Sequence, residues 1–345
     1  MHIAETEKPT TATRAAPTVW LLLGEKAGEI AQLRLVAANL GWPVVEQALS
    51  TARDFGLKPP WPELALSFGK SLPAALHLQR VSAGHTRLVH FGRPRRMRMD
   101  RLDLIVPMPP DRVPAARNVL SLRMPLNRQD AAALAAGAEK IAPRLAALPR
   151  PWTALIVGGR TRHLEFDSAV ATTLGTAAAA HAKARRGSLL VSTSPRTASA
   201  TTDALRAAID VPCAFYEFRA GDSENPLAGY LALADDIIVS GDSASMLAEA
   251  WRTGKPVRVA RLPRRAATPL RAAQRILDHL PGMEDRLVHG GWVAARTDLP
   301  RWLDTLVQQG LVGELGGAAP RIPFANELDD DLARCVQRIR SLVDS

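Results

Sequence analysis

Short apolar runs alternate with amphipathic stretches along most of the chain. "VWLLLG" (19–24) precedes "EIAQLRLVAANLG" (29–41), and then come "PVVEQAL", "ELALSFG", a helical stretch from Leu72 to Arg80, "TRLVHFG" and "LDLIVPM". The alanine-rich "QDAAALAAGAEKIAPRLAAL" (129–148) has helical spacing, with Pro143 as a point of kinking. "LPRPW" (148–152) punctuates, and the rhythm restarts. The strands "TALIVGG", "SLLVSTS", "CAFYEF", "DDIIVSG" and "PVRVARL" are separated by helical segments, and "FANELDDDLARCVQRIRSLV" closes the chain as an amphipathic helix.

The strand runs are continuously apolar, as strands buried on both faces must be. Strands alternating with helices predict parallel, right-handed βαβ units. The expected fold class is therefore α/β, with two Rossmann-like doubly wound parallel-sheet domains facing each other across a cleft. Residues 1–17 are expected to form a disordered tail, 18–150 a first domain, 151–322 a second, and 323–345 a closing helix. Ligands in such folds lie beyond the carboxyl ends of the strands.

Composition adds limits. Apolar residues make up 47% of the 345 and charged residues 23%, which suits a folded chain. No apolar run approaches the roughly 20 residues of a membrane span. The polar start lacks a signal peptide's basic region, so a cytoplasmic location is expected. Cys213 and Cys335 have no zinc-type spacing, and Cys213, within "VPCAFYEF", is expected as a buried strand residue. No metal site is expected.

The net charge is +10, and "RPRRMRMDR" (93–101) places five arginines in nine positions. Such an excess attracts phosphorylated substrates or an anionic membrane surface, unless it is a solvated loop. Nucleic acid is not expected, because no helix-turn-helix or zinc-knuckle signature occurs and aromatic residues do not interleave with the basic ones.

The strand-end loops carry the candidate chemistry. "GEKAGE" (24–29) offers Glu25, Lys26, Gly28 and Glu29, "SFGKS" offers Lys70, "GGRTRH" offers Arg160, and "TSPRT" offers Ser194 and Arg196. Each is compatible with a capped helix start. Together they pair glycines or hydroxyls with cations, as a phosphate-bearing ligand requires.

"SGDSASMLAEA" (240–250) allows three readings. As a hydrolase motif it would make Ser243 a nucleophile, but the Asp-x-x-His that would supply its base is missing. As a phosphate cradle it would direct the first free N–H groups of a helix at a ligand. Ser245 and Glu249 would then share one face, about 6 Å apart along the axis. Asp242 would repel phosphate there unless its carboxylate is occupied. The third reading is a plain capped helix with a solvated glutamate.

"ENPLAGYLALADDIIVSGDSASMLAEAWRTGKPV" (224–257) resembles the signature block of the mitochondrial-fission (elongated mitochondria) family and its bacterial homologues. "GEKAGEIAQ", "SFGK", "RLDLIVPMPPD", "NVL", "LIVGG" and "STSPRT" line up in order, so the resemblance runs from Val19 to about Leu262. It implies a GT-B glycosyltransferase-like fold holding a nucleotide-sugar donor, a UDP-sugar foremost, with an unknown acceptor and no other cofactor. By that resemblance Ser194, Arg196, Ser243 and Ser245 would meet the diphosphate and Glu249 the ribose. Tyr216 and Phe218 would lie beside the base, while Lys26, Gly28, Lys70 and Arg160 would line the acceptor side. The chain departs from the family pattern at Glu29, where the family has histidine, at Ala27 for proline, and at Pro195 for arginine. Glu25 and Glu29 are then the candidate bases. In plants the family is a surface adaptor, which implies a non-catalytic binding module as the alternative, with peripheral contact to an anionic membrane.

Overall fold

The computed structural model describes residues 16–344 except 53, 96, 128–129, 266–281 and 324. Most of the expected tail lies outside the described residues, as does Arg96 of the basic run.

The first sheet contains β1 (Val19–Leu23), β2 (Val44–Ala48), β3 (Leu64–Phe68), β4 (Arg87–Phe91) and β5 (Leu104–Val106), in the order β2-β1-β3-β4-β5. The second contains β6 (Trp152–Ile156), β7 (Ser188–Ser192), β8 (Cys213–Tyr216), β9 (Asp236–Ser240), β10 (Val257–Ala260) and β11 (Gly313–Glu314), in the order β11-β10-β9-β6-β7-β8. Every strand pair is parallel. The helices between strands are α1 (Ala27–Leu40), α2 (Leu72–Val81), α3 (Ala131–Leu145), α4 (Ser168–Ala184), α5 (Ser199–Ala207), α6 (Leu227–Leu233) and α7 (Ala244–Trp251). Among the described residues α8 (Met283–His289), α9 (Leu299–Gln308) and α10 (Ala325–Val343) follow. The chain is thus a pair of Rossmann-like domains in a GT-B-like arrangement.

Central strands β3, β6, β7 and β9 are buried at every position, which explains their largely apolar sequence. Edges differ. β2 is largely exposed, and β8 is only half-buried along its length. Cys213 is therefore half-buried and free, because its strand lies at the sheet's edge. The expectation of Cys213 as a buried strand residue is corrected to a half-buried one.

Several segments cross from one sheet to the other. α10 returns to the first domain, where Leu332, Cys335, Val336 and Ile339 join the core beside Leu33, Val36 and Leu104. Val288 of α8 and Ala295 pack with Leu88, Met99 and Ile105 of the first domain. α3 in turn packs on α6 of the second domain, with the two backbones meeting at Gly137 and Gly229. A Cβ on Gly229 would stand 2.4 Å from the Gly137 carbonyl oxygen, so this crossing requires glycine.

Each sheet reverses its strand order once, at β1/β3 in the first and at β6/β9 in the second. Crevices open beyond the strand ends at such points. Both candidate loop clusters sit there.

Candidate functional site

At the second sheet's reversal three loops are tied to one carboxylate. Asp242 is buried, and its Oδ2 accepts from the Gly159 N–H at 3.0 Å and pairs with Arg196 Nη1 at 2.7 Å. Its Oδ1 accepts from the Ser240 hydroxyl at 2.6 Å, and Ser240 Oγ accepts in turn from the Gly158 N–H at 2.7 Å. The glycines permit this approach, since a Cβ on Gly158 would fall 2.1 Å from Asp242 Oδ2. Asp242 is thus the occupied carboxylate that a phosphate reading needs, with its charge matched by Arg196 and two hydrogen-bond donors.

The "TSPRT" loop closes the cluster. Thr197 Oγ1 donates to the Gly158 carbonyl and accepts from the Ser194 N–H at 3.0 Å. Ser194 Oγ lies 3.2 Å from Thr197 Oγ1 and accepts from the Arg196 N–H at 3.3 Å. Thr197 therefore braces the loop instead of capping α5, which starts after Ala198 with no side-chain cap. Arg160 leaves the end of β6 exposed, and among the described residues its guanidinium has no hydrogen-bond or ion-pair partner.

Ser243 is the N-cap of α7, where its hydroxyl accepts from the Met246 N–H at 3.3 Å. That is its one side-chain hydrogen bond among the described residues, and it involves no histidine, so the local geometry is a cap and not an activated nucleophile. The N–H groups of Ala244 and Ser245 open the helix and have no intrahelical acceptor. Ser245 is exposed, and its carbonyl accepts from Asn127 Nδ2 at 3.2 Å.

One turn on, Glu249 borders a cavity of about 350 Å³ together with Asn127, Asp130, Asn225, Leu227 and Leu231. Part of the Glu249 side chain reaches solvent, yet the surrounding helices desolvate its carboxyl and raise its pKa. Asn127, Asp130 and Asn225 are neighbours that local sequence reasoning missed. Asp130 caps α3, accepting from the Ala132 and Ala133 N–H groups, and Asn225 Oδ1 accepts from the Leu227 N–H at 3.0 Å. Asp130 and the Asn-Pro turn are helix-start signals, but nothing local announces that they share a cavity. Tyr216 and Phe218 do not line it. The Tyr216 hydroxyl donates to Asp222 at 3.0 Å, and the Phe218 N–H donates to Thr193 Oγ1 at 2.9 Å.

The first sheet's reversal gathers the other candidates. α1 begins at Ala27, so Gly28 and Glu29 lie in its first turn. Glu29 pairs with Lys26 at 2.7 Å and is only 16% exposed, and its carboxylate rests against Gly69, where a Cβ would come within 3.1 Å. Glu25 is 86% exposed and meets Lys70 at 3.5 Å. Of the two candidate bases, Glu29 is the positioned one. No hydrogen bond or ion pair joins this cluster to that around Asp242 among the described residues. In the basic run, Arg93 is turned inward to Asp111 and the Ala295 carbonyl, and Arg98 pairs with Asp100.

The family model described as "Mitochondrial fission ELM1" matches residues 8–281. No curated protein matches the chain. Among solved structures, the chain is similar to S. aureus MnaA in a structure with UDP (11% identity, 95% of this chain and 98% of that chain covered, TM-score 0.43). It is similar also to Acinetobacter baumannii MurG (13% identity, 94% and 99% covered, TM-score 0.43). A third is the UDP-GlcNAc 2-epimerase from Neisseria meningitidis bound to UDP-GlcNAc (12% identity, 84% and 100% covered, TM-score 0.39).

Proposed function

Because the chain belongs to the mitochondrial fission ELM1 family, we propose that its second domain seats a nucleotide-sugar donor and that the reaction is glycosyl transfer. The carrying observation is the neutralised Asp242 at the β6/β9 reversal, flanked by the exposed Arg160 and the start of α7. With that carboxylate matched, the crevice is left with net attraction for an anion. The diphosphate lies against the Ala244 and Ser245 N–H groups and Arg160, while Glu249 accepts from the ribose hydroxyls in the adjoining cavity.

Transfer requires the bond between the anomeric carbon and the diphosphate oxygen to break as an acceptor hydroxyl attacks. The helix N-terminus and Arg160 stabilise the charge that develops on the departing diphosphate. Glu29, held by Lys26 against Gly69 at the first sheet's reversal, takes the acceptor proton.

Calorimetry with UDP, GDP and CMP tests the seat. One of them binds the wild type, and Glu249→Gln weakens it by about tenfold or more, equivalent to about 1.4 kcal/mol. Failure of all three to bind defeats the proposal. Glu29→Gln should retain that affinity and lose release of nucleoside diphosphate from the donor.

A further inference from the structure

The exposed tryptophan beside the basic run supports an interaction surface independent of the nucleotide seat. The chain has seven tryptophans, and six are buried or half-buried. Trp292 is 78% exposed, and Met283, also 45% exposed, starts the same α8 segment. The exposure is built in. Trp292 follows Gly291, whose φ of +79° turns the chain outward, and its N–H is anchored to the Leu287 carbonyl at 2.9 Å.

That turn rests on the basic loop. A Cβ on Gly291 would stand 2.4 Å from the Met97 carbonyl carbon and 2.6 Å from Arg98 N, so residues 97–98 pass directly beneath it. Val288 of α8 packs with Met99 and Leu102 in one core. Two segments far apart in sequence therefore form one surface. It carries exposed Arg95, Arg101 and Arg286, whose guanidinium groups make no hydrogen bond or ion pair among the described residues. Arg98 is there too, matched by Asp100. Glu284 is turned inward to Arg112 and Arg296, leaving Asp285 as the exposed acid of the α8 turn.

We propose that this surface docks on an anionic lipid bilayer. An indole that stands out of the surface, with exposed arginines on the two segments that form that surface, suits the headgroup boundary, where the ring partitions and the cations meet lipid phosphates. An acidic protein would match the charge, but a proud tryptophan calls for a pocket on such a partner, whereas a bilayer admits it without one. The loop follows the carboxyl end of β4, so docking places the strand-end side of the first domain toward the membrane.

The test is sedimentation of the full chain with vesicles of phosphatidylcholine, alone or mixed with phosphatidylglycerol. Binding is expected to the mixed vesicles only and to weaken with salt. Trp292→Ala and the triple reversal Arg95→Glu, Arg101→Glu, Arg286→Glu should each reduce it by about tenfold or more, while Trp292→Phe retains most of it. Circular dichroism should show all variants folded. In the wild type, brominated lipid should quench the one exposed indole, and Trp292→Phe should abolish that quenching. No binding to mixed vesicles, equal binding to neutral ones, or binding indifferent to both variants overturns the proposal. So does Trp292-dependent capture of polyglutamate without vesicle binding, which would indicate an acidic protein partner.

Discussion

His90 shows how one residue's surroundings set a measurable property. It is fully buried on β4, with Nδ1 2.9 Å from Ser67 Oγ on β3. Burial pushes its pKa from 6.5 down to about 4. The folded chain holds this imidazole neutral, whereas the unfolded chain protonates it near pH 6.5. Its contribution is therefore fully present above that pH and is lost as pH falls toward 4, amounting to about 3 kcal/mol. Urea unfolding of the wild type and His90→Leu at a series of pH values checks this. The stability difference between them should shift in favour of the variant across that window. Asp242 makes a second point at this scale. In sequence it is an acid where phosphate should bind. Its neutralisation depends on Arg196 and Gly159, which only folding brings alongside.

At the scale of elements, the crossing of α3 and α6 depends on two glycines. Gly229→Ala would force its Cβ to within 2.4 Å of the Gly137 carbonyl oxygen, so the helices must separate, at a cost of about 1–3 kcal/mol. Ser243→Ala removes the α7 cap and should cost about 1 kcal/mol. Both are read from urea denaturation midpoints, with the glycine variant expected to shift further. Local pattern recovered the strands and helices well, because strands covered on both faces must be apolar throughout. It did less well at the edges, since β2 and β8 read as strands like the others but lack their burial. α9 carries an apolar face on Trp302, Leu303 and Leu306 and could have been read as a helix, but its place against the second core has no local signal.

For the whole molecule, the chain's returns decide what unfolds together. Ile339 of α10 is fully buried in the first domain's core, although hundreds of residues separate it from most of that core. Ile339→Ala should cost about 2–5 kcal/mol. Calorimetry should show the first domain's transition lowered, even though the substitution lies beyond the entire second domain in sequence. Arg252, which ends α7, reaches the Leu328 carbonyl and Asp329 at the start of α10, so the return is also fastened to the candidate nucleotide domain.

By itself the sequence determined the fold class, the positions of the buried strands, and the strand-end loops where ligand-binding groups gather. These follow from local periodicity and from the backbone's need to pair its polar groups, which neighbouring residues express directly. Tertiary structure alone decided which loops meet. It matched Asp242 to Arg196, put Asp130 and Asn225 beside Glu249, set Glu29 against Gly69, and laid the basic loop under Trp292. The reason is physical: a carboxylate's effect depends on distance and dielectric, and both are properties of the packed molecule, not of neighbours along the chain.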